Sequence, residues 1–211
     1  MNVRVCVTGG LACGKSLVGS LLEQMQVPVL DTDRVGHELL ARSQPVIRRV
    51  KAQFGPRIVG PDGAVDRGRL GRRVFADATQ RQALNRILHP RIRKIVAAWV
   101  RDEGPGPGAR RNGVRVVLVP LVFEVGWEKD WDCLVCVGAP DPVQRARLKQ
   151  RGLSDSEIRA RMGAQLPVEE KMRRADYVIF NAGTVDALHR QVKDVYRQIK
   201  SLMEMNDGRK K

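Results

Sequence analysis

The 211-residue chain is short of aromatics, cysteine, histidine and long apolar runs, and each shortage removes a class of function. Three Trp, two Tyr and four Phe make up 4% of the residues. They are not interleaved with the basic clusters, as a base-stacking platform for single-stranded nucleic acid requires. No apolar stretch reaches the roughly 18 residues that span a bilayer. The best candidate, VRVVLVPLVFEVGW, carries Arg115, Pro120 and Glu124. The first residues show no basic segment followed by an apolar one and a cleavage site, so the expectation is a cytosolic enzyme that keeps off membranes. Of the four cysteines, Cys133 and Cys136 form a C-x-x-C, but inside the apolar run DCLVCV. That run reads as a strand, and alternation sends the two thiols to opposite faces, against a metal or redox pair. No internal repeat or low-complexity tract is visible.

What the chain has in excess is positive charge: 38 Lys and Arg against 23 Asp and Glu, a net +15. The clusters lie at 48–51, 67–73, 91–94 and 145–151 and in the tail GRKK. Such a balance suits polyanionic partners, either nucleic acid or phosphorylated small molecules. The charge is read as partly directed at phosphates and partly a solvated surface.

Residues 8–16, TGGLACGKS, point to a phosphorylated ligand. Gly9, four residues, Gly14, Lys15 and Ser16 fit the spacing G-x-x-x-x-G-K-[ST] that wraps a nucleotide's phosphates. Glycine lets the backbone turn with positive φ and approach the ligand, so that successive N–H groups face phosphate oxygens. Lys15 then reaches the β- and γ-phosphates, Ser16 sits on a magnesium ion, and the helix opened there directs its positive end at the anion. Val3, Val5 and Val7 alternate before the loop as in a strand, and Leu17, Val18, Leu21, Leu22 and Met25 follow at helical spacing. The expectation is ATP or GTP binding. Cys13 lies among the loop's N–H donors, where a thiolate is stabilised, and oxidation there is expected to block the nucleotide.

Further along, VPVLDTD reads as a buried strand ending in Asp31 and Asp33. Residues from about 34 to 110 carry helical periodicity, include the turn GPRIVGPDG, and end in EGPGPGARRNG, which reads as a flexible loop. Strand patterns resume at 114–119, 133–139 and 176–180. Five strands with crossovers imply an α/β parallel sheet, in which ligands gather beyond the carboxyl ends of strands. Asp31, Asp33, Pro120 to Glu124, Asn181 and Gly183 fall at such places. Two readings stay open for the aspartates: Asp33 as proton acceptor with Asp31 holding magnesium through water, or helix N-caps. Arg147 and Arg151, one turn apart, are either phosphate-binding arginines or part of a solvated basic helix. His89 is either structural or functional.

Together, VTGGLACGKS, VLDTD, VDRGRLGRRVF, LNRILHPRI, VPLVFE, Q-x-x-R-x-x-x-R at 144–151, the Gln165 region with EEK, and ADYVIFNAG resemble the dephospho-CoA kinases, the last enzymes of coenzyme A synthesis. The resemblance implies a P-loop kinase fold of the nucleoside-monophosphate-kinase type, a five-stranded parallel sheet with a helical substrate domain and a lid. The core would comprise 1–33, 112–143 and 172–205, the acceptor-binding insertion 34–111 and the lid 144–171. ATP, with Mg2+, would phosphorylate the ribose 3′-hydroxyl of dephospho-CoA. Gly9, Gly10, Ala12, Cys13, Gly14, Lys15, Ser16 and Leu17 match the ATP loop, Arg147 and Arg151 the lid arginines, and Asn181 the region near the adenine. Asp33 matches the family's base. Thr8, Arg67, His89, Pro120 and Glu124 match positions lining the acceptor side. Leu17 replaces a common threonine and Cys13 a serine or glycine, Val122 is a conservative change, and the Gly/Pro run near 104–108 resembles an extension. The rivals are a kinase of this fold with a nucleoside or nucleotide acceptor, and a nucleic-acid-binding P-loop ATPase. The latter lacks its acidic strand end, because the third strand stops at Pro120.

Overall fold

An apolar run and a glycine turn begin the computed structural model, which describes residues 3–101 and 113–208. The Gly/Pro/Arg-rich run at 103–112, expected to be a flexible extension, and the basic residues 209–211 lie outside the described residues. The chain forms β1 (Val3–Gly9), α1 (Lys15–Gln24) and β2 (Val29–Asp31), then α2 (Thr32–Arg42), α3 (Gln44–Phe54), α4 (Arg67–Ala76) and α5 (Ala78–Arg101). It continues with β3 (Val114–Leu118), β4 (Cys133–Gly138), α6 (Asp141–Gln150), α7 (Asp155–Gly163), α8 (Val168–Arg174), β5 (Tyr177–Phe180) and α9 (Val185–Gly208). Two compact units result, one built from 3–30 with 113–208 and the other from 31–101.

In the first unit the sheet order is β2-β3-β1-β4-β5. β1 pairs in parallel with β3 and β4, and β4 with β5. Parallel neighbours need crossovers, and helices on both faces bury the central strands. Val5, Cys6, Val7 and Thr8 are accordingly all buried in succession, so the Val3, Val5, Val7 alternation does not mark a wet face. Val18, Leu21 and Leu22 of α1 and Leu188, Val192 and Ile199 of α9 join the sheet in one core. At the β5 edge, the Gln191 amide accepts the Phe180 N–H (2.9 Å) and donates to the Phe180 carbonyl (3.1 Å). It satisfies backbone groups that would otherwise recruit a foreign strand.

The second unit has its own core, with Leu40, Val46, Val50, Phe54, Ile58 and Leu70 among its buried members. Asp31 caps α2 by accepting the Asp33 N–H (2.9 Å), and Asp66 caps α4 by accepting that of Arg69 (3.0 Å). The turn GPRIVGPDG closes on an antiparallel bridge between Val59 and Val65. α5 runs through Pro90, which has no N–H to give to the preceding turn.

Candidate active site

The phosphate loop joins β1 to α1, and its shape comes from left-handed backbone and from side chains that brace it. Gly14 (φ +98°) and Ala12 (φ +58°) are both left-handed, turning successive peptides into a concave nest. A Cβ on Gly14 would strike Nδ2 of Asn181, and one on Gly9 the Val137 carbonyl oxygen. The buried Asn181 donates from Nδ2 to the Cys13 carbonyl (2.9 Å). From α6, Arg147 donates to the carbonyls of Ala12 (3.1 Å) and Asn181 (3.3 Å). Loop carbonyls are thereby engaged from behind. α1 starts with no side-chain cap and no acid in its first turn, so its first N–H groups and positive dipole end are available to an anion. Lys15 is half-buried beside them, Ser16 and Leu17 are exposed, and Arg151 is exposed at the end of α6.

Cys13 departs from expectation. Its thiol is completely buried, and burial pushes its pKa up to about 11 despite backbone hydrogen bonds from Gly10 and Ala139 and the charges of Arg147 and Lys171. Loss of water outweighs the nearby donors, so the expected stabilised thiolate is not formed. Burial likewise raises Cys133 and Cys136, each to about 12, and all four cysteines are free.

Beside the loop, the buried Thr8 hydroxyl donates to the Pro120 carbonyl (3.2 Å), which places Thr8 beneath the site rather than on its surface. The same carbonyl accepts from Lys171 Nζ (3.1 Å). Lys171 also reaches Glu124 Oε1 (2.7 Å) and Gln165 Oε1 (3.2 Å), and Glu124 Oε1 accepts the Leu166 N–H (3.0 Å). A cavity of about 410 Å³ is lined by Gly10 and Leu11 of the loop together with Gln144, Gln165, Leu166 and Val168. Gln144, itself buried, is held by its donation to the Ala139 carbonyl (2.9 Å). Sequence reasoning gave Lys171 and Gln144 no role of their own. A lysine following two glutamates in a polar helix carries no burial signal.

The second unit holds the remaining expected residues. Asp31 is half-buried and spends one oxygen on the α2 cap, so the N-cap reading holds for it. Asp33 is exposed in the first turn of α2, one helical turn before the exposed His37. The Arg67 guanidinium donates to His37 Nε2 (3.0 Å). Since Arg has no acceptor, that contact fixes His37 as the Nδ1–H tautomer. His89, half-buried on α5, has its pKa lowered by burial and then by the Arg93 charge.

A family model of dephospho-CoA kinases matches residues 3–187. A dephospho-CoA kinase of Moorella thermoacetica is 39% identical over 194 residues, covering 92% of this chain and 90% of its own. A crystal structure from Thermus thermophilus has a TM-score of 0.76 at 33% identity, covering 93% of this chain and 97% of its own. A Campylobacter jejuni dephospho-CoA kinase has a TM-score of 0.68 and covers 98% of this chain and all of its own; at 23% identity it speaks to the fold alone. With the phosphate loop at its strand end and matches running over nearly its full length, the chain belongs to the dephospho-CoA kinase family and has its P-loop kinase fold.

Proposed function

We propose that this chain transfers the γ-phosphoryl group of ATP to the ribose 3′-hydroxyl of dephospho-CoA, giving coenzyme A and ADP. The observation that carries the reading is the uncapped start of α1 beneath a left-handed loop braced by Asn181 and Arg147, in a chain of this family. Backbone N–H groups from Gly9 to Leu17 bind the phosphates, and Lys15 offsets charge on the β- and γ-groups. Arg147 and Arg151 add positive charge on the α6 side.

The acceptor's 3′-oxygen attacks the γ-phosphorus as the bond to the β-phosphate oxygen breaks, and Asp33 takes the hydroxyl proton. Ser16, with Asp31 through water, would hold Mg2+. Both give oxygen donors, the chemistry a hard cation takes. When bound, Mg2+ neutralises phosphate charge. Arg67 and His89 in the insertion 34–111 are acceptor-binding residues, as are Pro120 and Glu124 in the first unit, while 144–171 covers the nucleotide and excludes water. The enzyme works in the cytoplasm on small molecules and needs no nucleic acid.

ADP release with ATP and Mg2+, measured with and without dephospho-CoA, tests this. Release that depends on the acceptor and yields coenzyme A is expected. An enzyme indifferent to dephospho-CoA but active on another nucleoside or nucleotide would overturn the acceptor assignment.

A further inference from the structure

Lys171 is fully buried within the first unit, and a lysine without water needs an acceptor for each of its three protons. It has three: the Pro120 carbonyl, Glu124 Oε1 and Gln165 Oε1. They come from two separate segments, the stretch after β3 and the turn between α7 and α8. Glu124 Oε1 ties the same segments again through the Leu166 N–H. Gln165 and Leu166 form a wall of the cavity that faces Gly10 and Leu11 of the phosphate loop. One ammonium thus fastens the Pro120–Glu124 stretch to the cavity wall beside the phosphate loop. The other carboxylate oxygen, Glu124 Oε2, is buried with no hydrogen-bond partner. Buried ion pairs often contribute less stability than apolar residues of the same volume, so stability alone gives no reason for this one.

We propose that Lys171 is a positioning residue that couples the acceptor-side stretch to the wall over the phosphate loop, and that a hydrogen-bond donor of the acceptor completes the pair at Glu124 Oε2. This rests on the kinase reading above. With the acceptor bound, the pair is fully satisfied and the wall sits where it excludes water. Without Lys171 only the Leu166 N–H to Glu124 Oε1 contact still joins the two segments, and the wall loosens. Water then attacks the γ-phosphorus, the bond to ADP breaks, and inorganic phosphate and a proton leave to solvent.

The test compares wild type, Lys171→Met and the double variant Glu124→Gln/Lys171→Met, reading coenzyme A formed per ADP released, ADP release without acceptor, the KM for dephospho-CoA and ATP affinity by titration. In Lys171→Met, coenzyme A per ADP should fall and the acceptor KM should rise, each by about 10-fold or more, with ATP affinity within about twofold of wild type. The double variant removes the unpaired buried charge, so its melting temperature should recover while its coupling does not. It also carries the test should the single variant not fold. Wild-type coupling and acceptor KM in a folded variant, with only kcat or melting temperature reduced, would overturn the proposal and leave Lys171 a structural residue. A wild-type chain that makes no coenzyme A from dephospho-CoA would instead overturn the kinase reading, and this inference with it.

Discussion

At the scale of single residues the phosphate loop tolerates little. Gly14→Ala would place a methyl group against Asn181 Nδ2 at φ +98°, straining the turn and displacing the amide that holds the Cys13 carbonyl. The expected cost is about 2–3 kcal/mol of stability, with ATP affinity reduced by more than about 10-fold. Thermal melts and ATP titration would read both, and wild-type values would remove Asn181 from its bracing role. Lys15→Ala should damage binding and turnover together, whereas Asp33→Asn should leave ATP titration nearly unchanged and cut kcat by about 100-fold or more. Undiminished kcat would take Asp33 out of the base role. Cys13 makes the opposite kind of prediction. With its pKa pushed up to about 11, only about one thiol in a thousand is ionised at pH 8. Alkylation should be slow and insensitive to ATP, and rapid modification that ATP blocks would contradict the burial. The loop spacing was legible in the sequence because Gly, Lys and Ser at fixed offsets have few other uses. The burial of Lys171 and Thr8 was not, because it depends on which distant segments close over them.

At the scale of elements, β1 and α1 were legible from an apolar run, a glycine turn and a helical repeat. The four longer strands emerged as short apolar runs for the reason that parallel strands lie between helices. β2 was read in VPVLDTD as a buried strand, but only Val29–Asp31 forms it, half-buried, before Asp31 turns to cap α2. Of the two aspartates, Asp31 caps the start of α2, and Asp33 lies exposed in its first turn. α5 shows packing overriding local preference, because it continues past Pro90 with Leu88 and Ala83 in its unit's core. The helix also carries a pH dependence through His89. Its folded pKa lies below the ordinary 6.5, from burial and from Arg93. Unfolding therefore takes up a proton as pH falls, and the stability held by neutral His89 is complete above about pH 6.5 and lost as pH drops toward the lowered folded value. The melting temperature of wild type should fall more between pH 7.5 and 5.5 than that of His89→Gln, by a margin of a few degrees. Equal falls in the two proteins would assign the acid sensitivity elsewhere.

At the scale of the molecule, the net charge of +15 acts on stability and on substrates at once. Unbalanced positive charge repels itself in the folded state, while ion pairs work against that repulsion, and added salt weakens both. Many of the ion pairs join exposed residues three or four apart on one helix, such as Arg34–Glu38, Arg145–Asp141 and Arg197–Asp194, and each contributes only about 0.3–0.5 kcal/mol. Arg4 grips Asp132 across the fold with contacts of 2.6 and 3.0 Å and depresses the Asp132 pKa, yet both side chains remain about two-fifths exposed. The buried Lys171–Glu124 pair is shielded from salt by its surroundings. Relief of repulsion should therefore outweigh loss of pairing, and the melting temperature should rise as NaCl goes from about 20 to about 300 mM, where the screening length falls below roughly 10 Å. The same screening should raise the KM for ATP and dephospho-CoA, both polyanions drawn to a basic surface. If the charge serves these small substrates, duplex or single-stranded DNA should leave ADP release unstimulated at every salt concentration. ADP release that DNA accelerates, with a steep loss on adding salt, would mean that the excess of arginine and lysine has a second ligand.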